Sequence, residues 1–198
     1  MITEAIDEPN KIYIVGSRKV GKSSLLRLLF KQPFIEKMEP SMIGITKATL
    51  TSNKKTFTIK DLTDTEDYKC TKLFLNEVED LLCVISVFSL TDRDSFEHAK
   101  LLLTCTQSNL TNNVDLQMIL CGNKYDIVSN DINNRAISLE EINTFTSGLR
   151  NCKYFDISCK TGYNVENVIN MINELEIESN GEEGEEEEKK NKNSCSVI

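Results

Sequence analysis

The chain has 198 residues, 39% hydrophobic and 27% charged, a makeup that suits one ordinary globular domain plus a tail. Its net charge of −8 argues against a nucleic-acid partner, and no apolar run is long enough to cross a bilayer. Seven cysteines, an odd number at no zinc-like spacing, fit reduced thiols rather than a disulfide framework; with no secretory leader at the N-terminus, a cytoplasmic protein is expected.

The first predicted element is a strand over 11–15, built on the apolar run Ile12-Tyr13-Ile14-Val15. It leads into Gly16-Ser17-Arg18-Lys19-Val20-Gly21-Lys22-Ser23, a G-x-x-x-x-G-K-S phosphate-binding loop. Ser24-Leu25-Leu26-Arg27-Leu28-Leu29-Phe30 follows, predicting a helix over 22–31. The two glycines let the backbone wrap around phosphates with its N–H groups turned inward, at the positive end of that helix. Lys22 then reaches the outer phosphates as a charge, and the Ser23 hydroxyl completes the shell of a Mg²⁺ ion. The alternative is a tight glycine turn at a structural strand-to-helix corner.

Strands follow over 47–51 and 56–60, joined by the polar Ser52-Asn53-Lys54-Lys55, so an antiparallel hairpin at one sheet edge is expected. Next come a helix over 66–79, a core strand over 81–88, a helix over 95–108 and a strand over 116–121. A helix over 139–147, a strand over 153–157 and a helix over 165–175 complete the order. Ser138-Leu139-Glu140-Glu141 has the form of a capping box, and Asn164 is placed to cap the last helix, whose Val165, Val168, Ile169, Ile172 and Leu175 share one face. The alternation predicts an α/β fold with a six-stranded, mostly parallel sheet, one antiparallel edge strand and about five helices. Residues 178–198 carry seven glutamates against three lysines, and 179–194 hold no large apolar residue. A domain over 1–177 and a disordered tail over 178–198 are therefore expected.

Asn123-Lys124-Tyr125-Asp126 lies at the end of the fifth predicted strand, where ligands gather in open parallel sheets. The Asp126 carboxylate can accept two hydrogen bonds, from the N1–H and the exocyclic amine of guanine, an arrangement adenine cannot satisfy. Asn123 and Lys124 brace that site. The expected ligand is GTP or GDP with Mg²⁺, and an ATP-using kinase built on the same phosphate loop is disfavoured.

With these motifs in this order, the chain resembles the Ras superfamily of small GTPases over about residues 10–175. The resemblance implies a three-layer P-loop NTPase fold. Asp156-Ile157-Ser158-Cys159-Lys160 is similar to the family's Ser-Ala-Lys loop, with Cys159 in place of the alanine. It implies nucleotide binding by Ser158, Cys159 and Lys160, with backbone N–H groups near Cys159 on the guanine oxygen and Lys160 beside the base. Phe34 falls where the family packs an aromatic ring on guanine, the alternative being a core aromatic under a loop. Glu39-Pro40-Ser41-Met42 resembles the first switch, so Ser41 is implied as a hydroxyl for Mg²⁺ and the γ-phosphate, and Asp61 as a Mg²⁺ holder through water. Effector and regulator proteins are the implied partners, meeting segments 34–45 and 61–75. Pro40-Ser41-Met42 favours the Ras branch, and Met42-Ile43-Gly44 is similar to the Rab motif slipped by one residue.

Three positions depart from the family pattern. The second switch reads Asp61-Leu62-Thr63-Asp64-Thr65, with Asp64 at the family glycine and Thr65 at the water-orienting glutamine. A carboxylate at Asp64 sets negative charge against the γ-phosphate, and Thr65 is too short to reach as the glutamine does. Arg18 stands at the Ras glycine, where it can crowd the water-positioning residue and an incoming arginine finger; it can instead face solvent or neutralise phosphate charge itself. Slow intrinsic GTP hydrolysis is expected, with no catalytic residue assigned.

Cys195-Ser196-Val197-Ile198 has the C-a-a-X form, so a prenyltransferase is an expected partner and Cys195 the lipidated residue, placing the protein on the cytosolic face of a membrane. His98, the one histidine, sits on a predicted helix with no visible serine or cysteine partnership. The leading reading is a guanine-nucleotide switch; the alternative is a non-hydrolysing pseudo-GTPase that acts as an interaction module.

Overall fold

The computed structural model describes residues 10–36, 45–52, 55–62, 81–110 and 116–175. Six strands form one sheet in the order β2-β3-β1-β4-β5-β6: β1 (Lys11–Val15), β2 (Ile45–Ser52), β3 (Lys55–Leu62), β4 (Leu81–Ser89), β5 (Gln117–Asn123) and β6 (Cys152–Asp156). The edge pair β2·β3 is antiparallel, with Ser52 opposite Lys55, and every other pairing is parallel. The expected antiparallel pair is thus present, formed by two strands rich in β-branched residues.

Strand period divides the core in two. Ile12 and Ile14 of β1, Cys83, Ile85 and Val87 of β4, and Ile119 and Cys121 of β5 face α1 (Lys22–Leu29) and α5 (Val165–Asn173). Tyr13, Val15, Val84, Phe88, Met118 and Leu120 face the other way, against α2 (Arg93–Asn109), α3 (Tyr125–Asn130) and α4 (Leu139–Ser147). The result is three layers, and β4, covered on both faces, reads as an almost unbroken apolar run for that reason. None of the helices among the described residues is long and apolar enough to cross a membrane.

The helix ends explain most differences from expectation. α2 begins at Arg93 rather than 95, because the Asp92 side chain caps it by accepting from the N–H groups of Asp94 and Ser95. Ser138 does cap α4, accepting from Glu141 N–H at 3.1 Å, but the Glu141 carboxylate takes both guanidinium nitrogens of Arg93 at 2.8 and 2.9 Å, so the capping box is half formed. Asn164 does not cap α5: its backbone is left-handed, and its side-chain amide donates to the Asp156 carbonyl at 2.8 Å. The face of α5 is as expected, with Val165, Val168 and Ile172 buried. Two short elements escaped the sequence reading, α3 and a 3₁₀ turn over Ile132–Asn134, since six and three residues carry too little apolar periodicity to register. The predicted helix over 66–79 and the tail over 178–198 lie outside the described residues.

Candidate functional site

The site forms at the C-terminal ends of β1, β5 and β6. The loop after β1 turns at Gly16 (φ +138°) and Gly21 (φ +105°), backbone that side-chain-bearing residues rarely adopt. Space demands glycine as well: a Cβ on Gly16 would lie 2.1 Å from the Val87 carbonyl oxygen, and one on Gly21 would lie 2.1 Å from Asn123 Nδ2. α1 then starts at Gly21 with no side-chain cap, the arrangement that suits an anionic ligand at a helix N-terminus. Lys22 is buried to 5% exposure, and its Nζ donates to the carbonyls of Gly16 and Ser17, each at 2.8 Å. Its ammonium therefore lies across the loop, next to where the loop's glycine backbone would take phosphate. Arg18 and Lys19 are exposed on the same loop.

Ser23 stands in the first turn of α1, and the β1·β3 register sets Asp61 beside Ile14, two residues before Gly16. A hydroxyl and a carboxylate, hard oxygen donors on neighbouring elements, suit Mg²⁺. The residues on hand therefore fit the ion that the phosphate loop implies. Ser41, Asp64 and Thr65 lie outside the described residues.

At the ends of β5 and β6, Asn123 is the joint. Buried to 4% exposure, it donates from Nδ2 to the Val20 carbonyl at 2.8 Å and accepts at Oδ1 from the Cys159 N–H at 3.0 Å. One side chain so ties the phosphate loop, β5 and the loop after β6 together. Lys124 takes a left-handed backbone (φ +70°), which turns the chain into α3 and sets Asp126 in its first turn. Asp126 Oδ1 accepts from the fully buried Ser158 hydroxyl at 2.7 Å, which fixes the carboxylate's orientation. The Cys159 thiol lies 4.0 Å from the Gly21 carbonyl and is pushed up to about 12, first by burial and then by the Asp126 charge, so it stays protonated. Lys160 is exposed and reaches Glu36 at 3.4 Å, two residues beyond Phe34. Phe34 is half-buried and packs against the core between α1 and α5.

Sequence reasoning missed the support beneath this loop. Arg135 forks onto both Asp156 oxygens at 3.0 Å and donates to the Tyr154 hydroxyl at 3.2 Å, while the same hydroxyl donates to Asp156. With side chains only 9% and 17% exposed, Arg135 and Asp156 anchor the start of Asp156-Ile157-Ser158-Cys159-Lys160. No local pattern pairs residues 21 apart. His98 was missed too: its Nδ1 lies 3.1 Å from the Ser17 hydroxyl, so α2 does contact the phosphate loop through a serine. Of the other cysteines, Cys83 and Cys121 are buried and Cys105 is half-buried.

The Ras family model matches residues 11–177. Human GTP-binding protein Rhes is 25% identical over 165 residues, spanning 79% of this chain and 60% of its own length. The small monomeric GTPase RhbA of Aspergillus fumigatus is 28% identical over 181 residues, 89% of this chain and 92% of that protein. Ras-related protein RABF2a of Arabidopsis thaliana is 32% identical over 163 residues, 80% of this chain and 76% of that protein. The chain thus spans about three-fifths of the Rhes proteins it matches.

Proposed function

Because the chain belongs to the Ras family, we propose that it is a GTP/GDP-binding switch acting in signalling or trafficking, with slow intrinsic GTP hydrolysis. The observation that supports it best is the Asn123 joint, which holds a phosphate loop and a guanine-type carboxylate, Asp126, in one rigid frame. In this reading Lys22 and the loop amides take the phosphates, Ser23, Ser41 and Asp61 hold Mg²⁺, and Asp126 reads the base. Mg²⁺, when bound, supplies charge neutralisation at the β- and γ-phosphates.

The slow rate follows from residues of this chain. By residue type, Asp64 puts a carboxylate at the family glycine position next to the γ-phosphate, Thr65 is shorter than the family's water-orienting glutamine, and Arg18, exposed on the loop, stands at the Ras glycine, where an activating protein's arginine would enter. Much of the ~10³–10⁵-fold acceleration that such an arginine supplies is then out of reach. Effectors and regulators meet segments 34–45 and 61–75. A prenyl group on Cys195 would make the switch peripheral to a membrane, and movement of a Cys195→Ser chain into the soluble fraction tests that.

The pseudo-GTPase reading is not favoured, since relatives across the match are described as GTP-binding or GTPase proteins. The decisive experiment is nucleotide binding followed by single-turnover hydrolysis on purified, Mg²⁺-loaded protein. GDP and GTP should bind and ADP should not, with hydrolysis slower than in relatives that keep the glutamine. A rate equal to theirs refutes the slow-hydrolysis claim, and equal binding of ADP refutes the guanine reading.

A further inference from the structure

Between Lys124 and Asp126 stands Tyr125, and three residues beyond Lys160 stands Tyr163. Their rings are stacked, with centroids 4.5 Å apart and planes 14° from parallel. The pair is not ordinary core: Tyr163 is 50% exposed, so burial accounts for little of its position. Tyr125 is partly buried and packs against the core on the α2–α4 face of the sheet.

The backbone puts these rings at the two places where the base loops are fastened. Tyr125 N–H donates to the Ile157 carbonyl at 3.0 Å, joining the start of α3 to the end of β6. Ser158 N–H donates to the Tyr163 carbonyl at 3.1 Å, and Gly162 N–H to the Ser158 carbonyl at 2.8 Å, closing residues 158–163 into a compact loop through Gly162 (φ +80°). The Ser158 hydroxyl on Asp126 ties the two loops on the side facing the base. The stacked tyrosines tie them on the outside. Asp126 and Cys159 belong to different loops, so both loops must hold their spacing for the base to stay.

We propose that the Tyr125–Tyr163 stack is a clasp of positioning residues that sets how long a guanine nucleotide remains bound. A contact that spans both base loops and breaks when they part raises the barrier to base release. It acts on the base alone, which GDP and GTP share, and lies away from the phosphate loop where hydrolysis occurs. The Tyr163 phenol is raised by its Tyr125 neighbour, consistent with two hydroxyls held close.

This inference rests on the guanine-nucleotide reading, and the experiment separates the two. Dissociation of ribose-labelled fluorescent GDP and GTP is followed on the full chain with Mg²⁺, for wild type, Tyr163→Ala, Tyr163→Leu and Tyr163→Phe. Loss of an aromatic pair should speed release of both nucleotides by the same factor, roughly three- to tenfold. Tyr163→Phe should restore the slow rate, and single-turnover hydrolysis of bound GTP should not change. If Tyr163→Ala does not fold, Tyr163→Leu, which keeps bulk without a ring face, is read in its place. Release within twofold of wild type, a Tyr163→Phe as fast as the non-aromatic variant, or an equal change in hydrolysis overturns the clasp and leaves the guanine reading standing. Failure of the wild-type chain to bind guanine nucleotide overturns both.

Discussion

The two halves of the proposed site, a phosphate side at Gly16–Ser23 and a base side around Asp126, are held by different means. Gly16–Ser23 takes its shape from backbone, with two glycines at positive φ and one lysine bonded to carbonyls five and six residues away. The base side is held by side chains brought from afar: Asn123 to Val20 and Cys159, Ser158 to Asp126, and Arg135 to Asp156. A backbone-built loop is specified by a short run of residues and tolerates almost nothing at its glycines. A side-chain-built loop is specified by the whole fold, and its parts fail more gradually.

The largest effect should come where the two sides touch. Gly21→Ala forces a left-handed alanine into the space of the Asn123 amide, breaking a backbone-built and a side-chain-built element together. Strain of about 1–3 kcal/mol plus the loss of two buried hydrogen bonds at about 1 kcal/mol each predicts about 3–5 kcal/mol of destabilisation. Urea unfolding measures it, and nucleotide binding should be lost; a change below about 1 kcal/mol would mean that the loop is not held as described.

Arg135→Met sharpens the base side alone. Removing the guanidinium leaves the mostly buried Asp156 with the Tyr154 hydroxyl but no cation, at a cost of about 2 kcal/mol, below the ~3–5 kcal/mol of a fully buried pair because Asp156 keeps that hydroxyl and some solvent. Guanine nucleotide should leave several-fold faster while hydrolysis of bound GTP stays at the wild-type rate. Equal effects on release and hydrolysis would erase the distinction between the two sides.

The division also explains what could be read from the sequence. The glycine loop, the Asn123–Asp126 motif, the six strands and the apolar face of α5 follow short-range rules, and all were legible. Arg135 with Asp156, His98 with Ser17, and Tyr125 with Tyr163 join residues 21 to 81 apart, and nothing local in one chain selects those partners. Asn164 and Glu141 show the same limit from the other side: each fits a local capping rule, and each is drawn off by a tertiary partner, the Asp156 carbonyl and Arg93.

The smallest effect concerns pH. Burial pushes the Cys159 thiol up to about 12, whereas an unfolded thiol titrates near ~8.5. The folded state therefore holds its proton longer, and the stability this contributes is complete below about pH 8.5 and is lost as pH rises toward 12. At pH 9.5 the loss from this one thiol is about 1 kcal/mol, so Cys159→Ala should flatten the decline in unfolding free energy between pH 8 and ~9.5 by that amount. An unchanged slope would mean that Cys159 is not buried against Gly21 and Asp126.

In the proposed reading, Asp126, held by Ser158, selects guanine. The most direct test of that selection is the nucleotide preference of Asp126→Asn, measured by equilibrium binding of GDP and xanthosine diphosphate. Two hydrogen bonds to a charged acceptor, at about 1.5 kcal/mol or more each, predict a loss of roughly 10²-fold in GDP affinity and a preference reversed toward xanthosine diphosphate. GDP affinity unchanged by the substitution, with no gain for xanthosine diphosphate, would contradict it.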